Sequence, residues 1–302
     1  MLEKGSNLLN EAMTCGVRAG GTVRHRLSGH RDGLTVQRAE ETVEQVGMLE
    51  AIYRYPVKSM AGEEVSESFV GYGGLMGDRA FAFVRRKGVK GFPWHTGREQ
   101  EDMVLFRPRF RNSAAMTLPA DIEASFGMAP GVNPVFPPAP AFEVDVTTPE
   151  GQVFPIGSTE LAADLERRNG EPVTLRFSER SLYDCRPISI FGNATAIGLG
   201  EELGMLMDRR RFRANFYVDW NEPEPYRENA LVGRTLQIGD RLRISVVELD
   251  PRCKMITIDP QTGKAEKRIL HHVIAEHHGT AGVYAAVLTE GIVRKGDAIH
   301  LA

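Results

Sequence analysis

At 302 residues, with 42% hydrophobic and 25% charged side chains, the chain has apolar material for one large globular domain or two modest ones. Its net charge of −3 excludes a global electrostatic case for nucleic acid or an acidic membrane surface, so any anion site must be local. The three cysteines, Cys15, Cys185 and Cys253, are far apart and form no CxxC pair, which argues against a disulfide framework, a structural zinc site or a self-ligated iron–sulfur cluster. No stretch approaches the roughly 18 apolar residues of a membrane span, and the first residues lack the compact apolar core of a secretory signal. The expected location is cytoplasmic.

In chain order, residues 1–47 are polar and without sustained periodicity. Such a segment buries too little to offset its ordering entropy, which predicts a disordered extension. The first strand is expected in "MLEAIYRYPVKS", where Leu49, Ala51, Tyr53 and Tyr55 alternate with Glu50, Ile52 and Arg54 until Pro56 ends the run. Residues 63–84 predict short strands around a glycine-rich turn. The proline-rich "NPVFPPAPAF" at 133–142 cannot lie in a central strand and reads as a boundary loop. Two strands around a Pro-Glu-Gly turn are expected in "FEVDVTTPEGQVFPI". The next segment, "STELAADLERRNG", predicts a helix capped by Ser158, with Leu161, Ala162 and Leu165 on one face and Gly170 as its stop. A second short helix is expected in "NATAIGLGEELG". After residue 210 the pattern is mostly strand, with turns about 8–12 residues apart, the spacing of a β-barrel or sandwich. The fold class is therefore mainly β with a few helices (α+β).

Four stretches place a cation or a thiol at a strand end or a tight turn, where function is often carried on a rigid β scaffold. In "YRYPVKS" an ammonium and a hydroxyl, Lys58 and Ser59, follow the proline that ends a strand. The glycines of "GYGGLMGDR" shape a loop that delivers Asp78 and Arg79. In "RRFRAN", Arg213 and Asn215 are two residues apart and share a face if the segment is extended. In "DPRC", Arg252 precedes Cys253. Singly, each has an ordinary reading: a hairpin turn, solvated surface cations, a small buried thiol. Together they describe a site for an anionic, phosphate-bearing ligand with a soft metal, since guanidinium and ammonium groups bind phosphate and a thiolate binds soft metals. The glycine loop is not a dinucleotide fingerprint, because strand-like "AFAFV" follows it in place of a helix. The run "HHVIAEHH" at 271–278 puts His272 and Glu276 one helical turn apart, but HExxH is absent and no third ligand is apparent, so an exposed polar helix is expected there. Cys15 and Cys185 are assigned no role.

"YRYPVKSMAGEEV" with "GLMGDRAFAFV" resembles the N-terminal β-barrel module that accompanies MOSC domains. "RRFRANFYVD", "LQIGDRLRISVVELDPRCKMITIDPQTG" and "GVYAAVLTEGIVRKGDAIHL" resemble the MOSC domain itself. The resemblance runs in order from about residue 48 to the end, with the mitochondrial amidoxime-reducing components and their bacterial two-module relatives as the architectural match. It implies a module at 48–140 and a MOSC domain at 141–302. It also implies a molybdenum cofactor, a pterin whose dithiolene holds molybdenum and which ends in a phosphate. By motif position Cys253 matches the molybdenum ligand and catalytic residue. Lys58, Ser59, Arg79, Arg213 and Asn215 match positions that hold pterin and phosphate, and Thr195 stands where the family shows a hydroxyl leading into a helix. Arg252 beside Cys253 is expected to favour the thiolate. Thr96 and Arg98 are further candidates, in a stretch where the family pattern is looser.

The activity implied by the resemblance is reduction of N-hydroxylated or N-oxide small molecules. Electrons would come from an external electron-transfer protein, because the chain has no flavin fingerprint and too few cysteines for its own cluster. Neither nucleic acid nor a membrane is an expected partner. Two other readings stand beside it: a cofactor carrier or sulfur relay working through a Cys253 persulfide, and a non-catalytic interaction module with Cys253 in its core.

Overall fold

In a computed structural model the described residues are 44–89, 92–119, 122, 126 and 139–302. The expectation of a disordered extension over 1–47 lies outside them except at its end. There the first strand begins three residues earlier than the sequence suggested, at Gln45, with Val46 buried and Gly47 paired to Trp220. Residues Thr42–Ala302 cluster as one compact unit.

Seven strands close into a barrel. Gln45–Arg54 pairs with Phe216–Trp220 on one side and Ala298–Leu301 on the other. The circuit continues through Thr235–Ile238, Leu242–Pro251, Thr280–Thr289 and Ile188–Gly192 before returning to Phe216–Trp220. Alternate residues point inward, as the pleat requires: Ile188 and Ile190, Phe216 and Val218, Leu242, Ile244 and Val246 all lie in one buried cluster. The fold class follows the sequence expectation, with mostly strands and three α-helices among the described residues.

One barrel pair is parallel, Ile188–Gly192 with Phe216–Trp220, and a parallel pair needs a crossover. The crossover holds the helix Asn193–Leu203 and the 3-10 turn Arg209–Phe212. It packs with the helix Lys267–Glu276 on outward-facing Ala51, Phe191 and Tyr217. The crossover therefore ends by handing Arg213 and Asn215 to the start of a barrel strand.

A second core is built from the earlier part of the chain, with Phe69, Phe81, Phe83, Met103, Phe106 and Val146 among its members. Leu161 and Leu165 of the helix Thr159–Asn169 complete it, and this helix is capped as expected: Ser158 Oγ accepts from the Leu161 amide at 3.1 Å and Gly170 turns left-handed at φ 82°. Strand pairing crosses the expected boundary near 140 in both directions. Val173–Phe177 pairs with Phe81–Val89, Gly291–Arg294 pairs with Glu67–Gly71, and the first strand sits in the barrel. No helix among the described residues is long and apolar enough to cross a membrane.

Candidate cofactor site

A cavity of about 350 Å³ opens where the strand ends converge, and Lys58, Ser59, Arg79, Arg213, Arg252 and Cys253 all line it, together with Asn215 and Arg98. Residues more than 190 positions apart in sequence thus meet at one place.

The first wall is made where the strand Gln45–Arg54 runs out. Asp78, 2% exposed, accepts from the Tyr55 amide at 2.8 Å, and the Arg79 amide donates to the Tyr55 carbonyl at 2.6 Å. The glycine loop is thereby fastened to the strand end and presents Arg79. Lys58 is nearly buried; its Nζ donates to the Leu182 carbonyl at 2.8 Å and pairs with Asp184 at 2.6 Å. Burial pulls its ammonium below the ordinary lysine range, opposed by Asp184 and assisted by the nearby Arg79 and Arg213 charges.

The second wall comes from the crossover. Arg213 follows the 3-10 turn in the left-handed region, so the extended Arg213–Asn215 segment expected from the sequence is not formed; the strand begins only at Phe216. Both residues still line the cavity, but Asn215 is occupied by the fold, accepting from the Ser189 amide at 3.2 Å and donating to the Tyr53 carbonyl at 3.3 Å. Ser59, Arg79 and Arg213 all have positive φ, at 66°, 47° and 54°, half of the six such non-glycine residues described. A non-glycine residue held there costs about 1–3 kcal/mol, and such strain gathers where a site dictates backbone position.

Arg213 carries the clearest electrostatic signature. Its side chain has no carboxylate partner among the described residues, and its buried Nη2 has no hydrogen-bond partner. Burial pulls the guanidinium down to about 10, opposed by Tyr55 and reinforced by repulsion from Arg79. At neutral pH it remains a half-buried cation at the cavity wall, placed to pair with an anion.

Cys253 stands in extended backbone at the head of the 3-10 turn Lys254–Thr257 and is partly exposed. The guanidinium beside its thiol is not Arg252, as the sequence suggested, but Arg98. Burial would lower the Arg98 pKa, yet the hydrogen bond and charge of Cys253 raise it. Arg252 turns inward instead, donating to the Ala281 carbonyl at 2.6 Å and the Phe212 carbonyl at 2.9 Å and pairing with Asp250 at 2.8 Å. A Cβ at Gly282 would come within 3.0 Å of Arg252 Nη2, so the bare glycine lets the guanidinium through.

Two candidates fall elsewhere. Thr195 is wholly buried in the crossover helix, where its hydroxyl donates to Glu228 Oε1 at 2.9 Å and accepts from the Tyr226 amide at 2.8 Å, and it does not line the cavity. Thr96 is buried too and closes a local turn through Glu99. The cavity's hydroxyl from this region is Ser189, on the strand before the helix, which donates to Asp250 Oδ2 at 2.9 Å. Ser189, Asp250 and Tyr284 were missed from the sequence. Asp250 stands inside the quoted "ELDPRC" and could have been noticed; nothing marks Ser189 or Tyr284 without the fold. Burial pushes the Asp250 carboxyl above its ordinary range, against the Arg252 charge and hydrogen bonds from Ser189 and Tyr284. Cys185 also borders the cavity, its thiol raised by burial and then by Asp184.

Fold and site together define a β-barrel protein with a cationic, thiol-bearing cavity. Residues 177–300 match the MOSC domain and residues 46–133 match the MOSC N-terminal beta barrel domain. The chain belongs to the MOSC-domain proteins that carry this N-terminal module, a family associated with the molybdenum cofactor. No curated protein matches it. Among solved structures, the YuaD protein of Bacillus subtilis is similar at 14% identity over 85% of this chain and 95% of its own, with a TM-score of 0.41. YiiM of Geobacillus stearothermophilus is similar at 18% identity over 39% of this chain, and YiiM of Escherichia coli at 13% over 39%, each with a TM-score of 0.29. The match spans about half the length of these YiiM chains, 54% in both.

Proposed function

We propose that this chain binds the molybdenum cofactor, as Mo-molybdopterin, in the cavity and uses it to reduce N-hydroxylated or N-oxide small molecules with electrons from a separate donor protein. The observation that carries the reading is Arg213, a half-buried guanidinium with no ion-pair partner among the described residues, beside Arg79 and Lys58 in the same cavity as a partly exposed thiol. Arg213, Arg79 and Lys58 would pair with the cofactor's phosphate and dithiolene charge, and Cys253 Sγ would be the soft ligand for molybdenum. Bound molybdenum supplies two-electron redox chemistry and oxygen exchange.

The chain's own residues do the rest. Arg79, Arg213 and Lys58 fix the anionic end, and the left-handed backbone at Ser59, Arg79 and Arg213 sets where these groups stand. Arg98 stands beside the Cys253 sulfur as its hydrogen-bonding guanidinium. The Ser189 hydroxyl and the Asp250 carboxyl it donates to, itself paired with Arg252, supply polar groups at the cavity wall. The reading is tested by benzamidoxime reduction with an artificial electron donor, using cofactor-loaded protein. Turnover that Cys253→Ala abolishes supports it. Cofactor retention without turnover of this or related N-hydroxylated compounds would leave the carrier reading in its place.

A further inference from the structure

The histidine-rich run at 271–278 lacked a third ligand when read alone, and the fold supplies one from another helix. His272 lies on the helix Lys267–Glu276, and His277 caps its C-terminus. At that cap the backbone leaves the helix, which lets a residue five positions on reach the same place. Glu202, in the last turn of Asn193–Leu203, meets both: His272 Nε2 stands 2.6 Å and His277 Nε2 2.8 Å from Glu202 Oε2. One donor atom from each of the three lies within 4.8 Å of the others. Glu276, the partner suggested by helical spacing, is not among them. The rings are held in place: Tyr226 stacks on His277 with centroids 4.2 Å apart, and the His272 and His277 rings meet edge to face at 5.6 Å. Burial acts to raise the Glu202 carboxyl, but hydrogen bonds from His277 and His272 hold it below its ordinary range, so it is anionic at neutral pH.

We propose that Glu202, His272 and His277 form a surface site for a divalent transition-metal ion of the zinc type, separate from the cofactor cavity, whose walls include none of the three. Two imidazole nitrogens and one carboxylate are a zinc donor set, with a fourth position open to water. Around an ion with bonds of about 2.0–2.1 Å, tetrahedral donors stand roughly 3.3 Å apart, so the two nitrogens must retreat from Glu202 by about 0.5–0.7 Å. The side chains have room, being 23%, 19% and 35% exposed for His272, His277 and Glu202. Both imidazoles present Nε2 as the ligating atom, so an ion takes the place of the hydrogen bonds they share with Glu202. Because the ligands come from two helices packed on the outside of the barrel, a bound ion ties the crossover helix to Lys267–Glu276.

The test is isothermal titration of the metal-stripped full chain with zinc chloride, in a variant with Cys15, Cys185 and Cys253 all changed to Ser so that thiols do not contribute. Wild-type protein with alkylated thiols is measured in parallel, in case the triple variant folds poorly. The expected result is one equivalent of zinc at micromolar affinity or tighter, with a rise in melting temperature. His272→Ala, His277→Ala and Glu202→Gln should each weaken binding at least about tenfold. His271→Ala and His278→Ala, which alter exposed neighbours outside the triad, should leave it unchanged. No binding at micromolar zinc, or equal losses in all five variants, overturns the proposal and leaves a hydrogen-bonded His–Glu–His contact. Because zinc affinity is the readout, the outcome is independent of the proposed redox activity.

Discussion

Arg79 Nη2 donates to the backbone carbonyl of Arg213 at 2.9 Å, and the two guanidinium groups lie over the same Tyr55 ring, at 4.7 and 4.3 Å from its centroid. Arg79 is neutralised by Asp78; Arg213 has no such partner. The ring's π face offsets part of that charge, but a cation–π contact is worth only about 0.5–2 kcal/mol. The remainder is available to a bound anion.

Arg213→Ala should therefore move two quantities in opposite directions. Cofactor retention should fall by roughly 1.5–3 kcal/mol, one to two powers of ten, with the loss of a charge-assisted contact. The cofactor-free protein should melt no lower than wild type, since a half-buried cation repelled by Arg79 is removed. Arg213→Lys should recover retention only in part, keeping the charge without the planar fork. Retention by equilibrium dialysis and melting of the stripped protein check both signs.

Cys253→Ala should lose molybdenum while leaving the melting temperature of the stripped protein within a few degrees of wild type. The residue is only partly buried, so removing its sulfur leaves little cavity. Elemental analysis beside a thermal melt separates a ligand from a packing residue.

Thr195→Val tests one of the two candidate site residues that lie away from the cavity. It should leave cofactor retention unchanged and destabilise the fold by roughly 1–3 kcal/mol, because Glu228 Oε1 loses a buried donor. Burial raises the Glu228 carboxyl, while hydrogen bonds from Gly192 and Thr195 oppose it. With a raised folded-state pKa, the Glu228 contribution is full below about 4.5 and is lost as pH rises through the folded value. The Thr195 hydrogen bond favours the charged form, so the gap between variant and wild type should widen as pH rises through that window. Melting curves from pH 4 to 8 should show it.

A chain beginning at Met48 should be less stable than one beginning at Thr42. The shorter chain lacks Gln45 and Gly47, which pair with His300, Ile299 and Trp220 at the barrel closure, and buried Val46, whose side chain alone contributes about 1.5–3 kcal/mol. Parallel thermal melts of the two chains measure the difference.

Much of this architecture was legible because it rests on local signals. Ser158, the Leu161 and Leu165 stripe and Gly170 define a helix without outside help, and the turn-punctuated strands after residue 210 announce a barrel. Lys58, Ser59, Arg79, Arg213 and Cys253 could be nominated because each sits at a turn or strand end. What periodicity does not carry is which turns converge. The direction of the Arg252 guanidinium depends on Asp250 and on the space left at Gly282, and Ser189 reaches the cavity only because a parallel strand pair brings it beside Asn215. Thr195 was misplaced because position before a helix does not say which face of it meets the cavity. Glu202 and His272 are 70 residues apart and meet only through two packed helices.

The central claim, that one cationic cavity holds a molybdenum cofactor through Cys253, is tested most directly by measuring molybdenum and pterin in the full chain purified from a host that makes the cofactor. The account predicts both at near one equivalent per chain in wild type, with molybdenum lost in Cys253→Ala and both depleted in an Arg79→Ala, Arg213→Ala double variant. Wild-type protein carrying neither molybdenum nor pterin, or a Cys253→Ala protein that retains molybdenum in full, would contradict it.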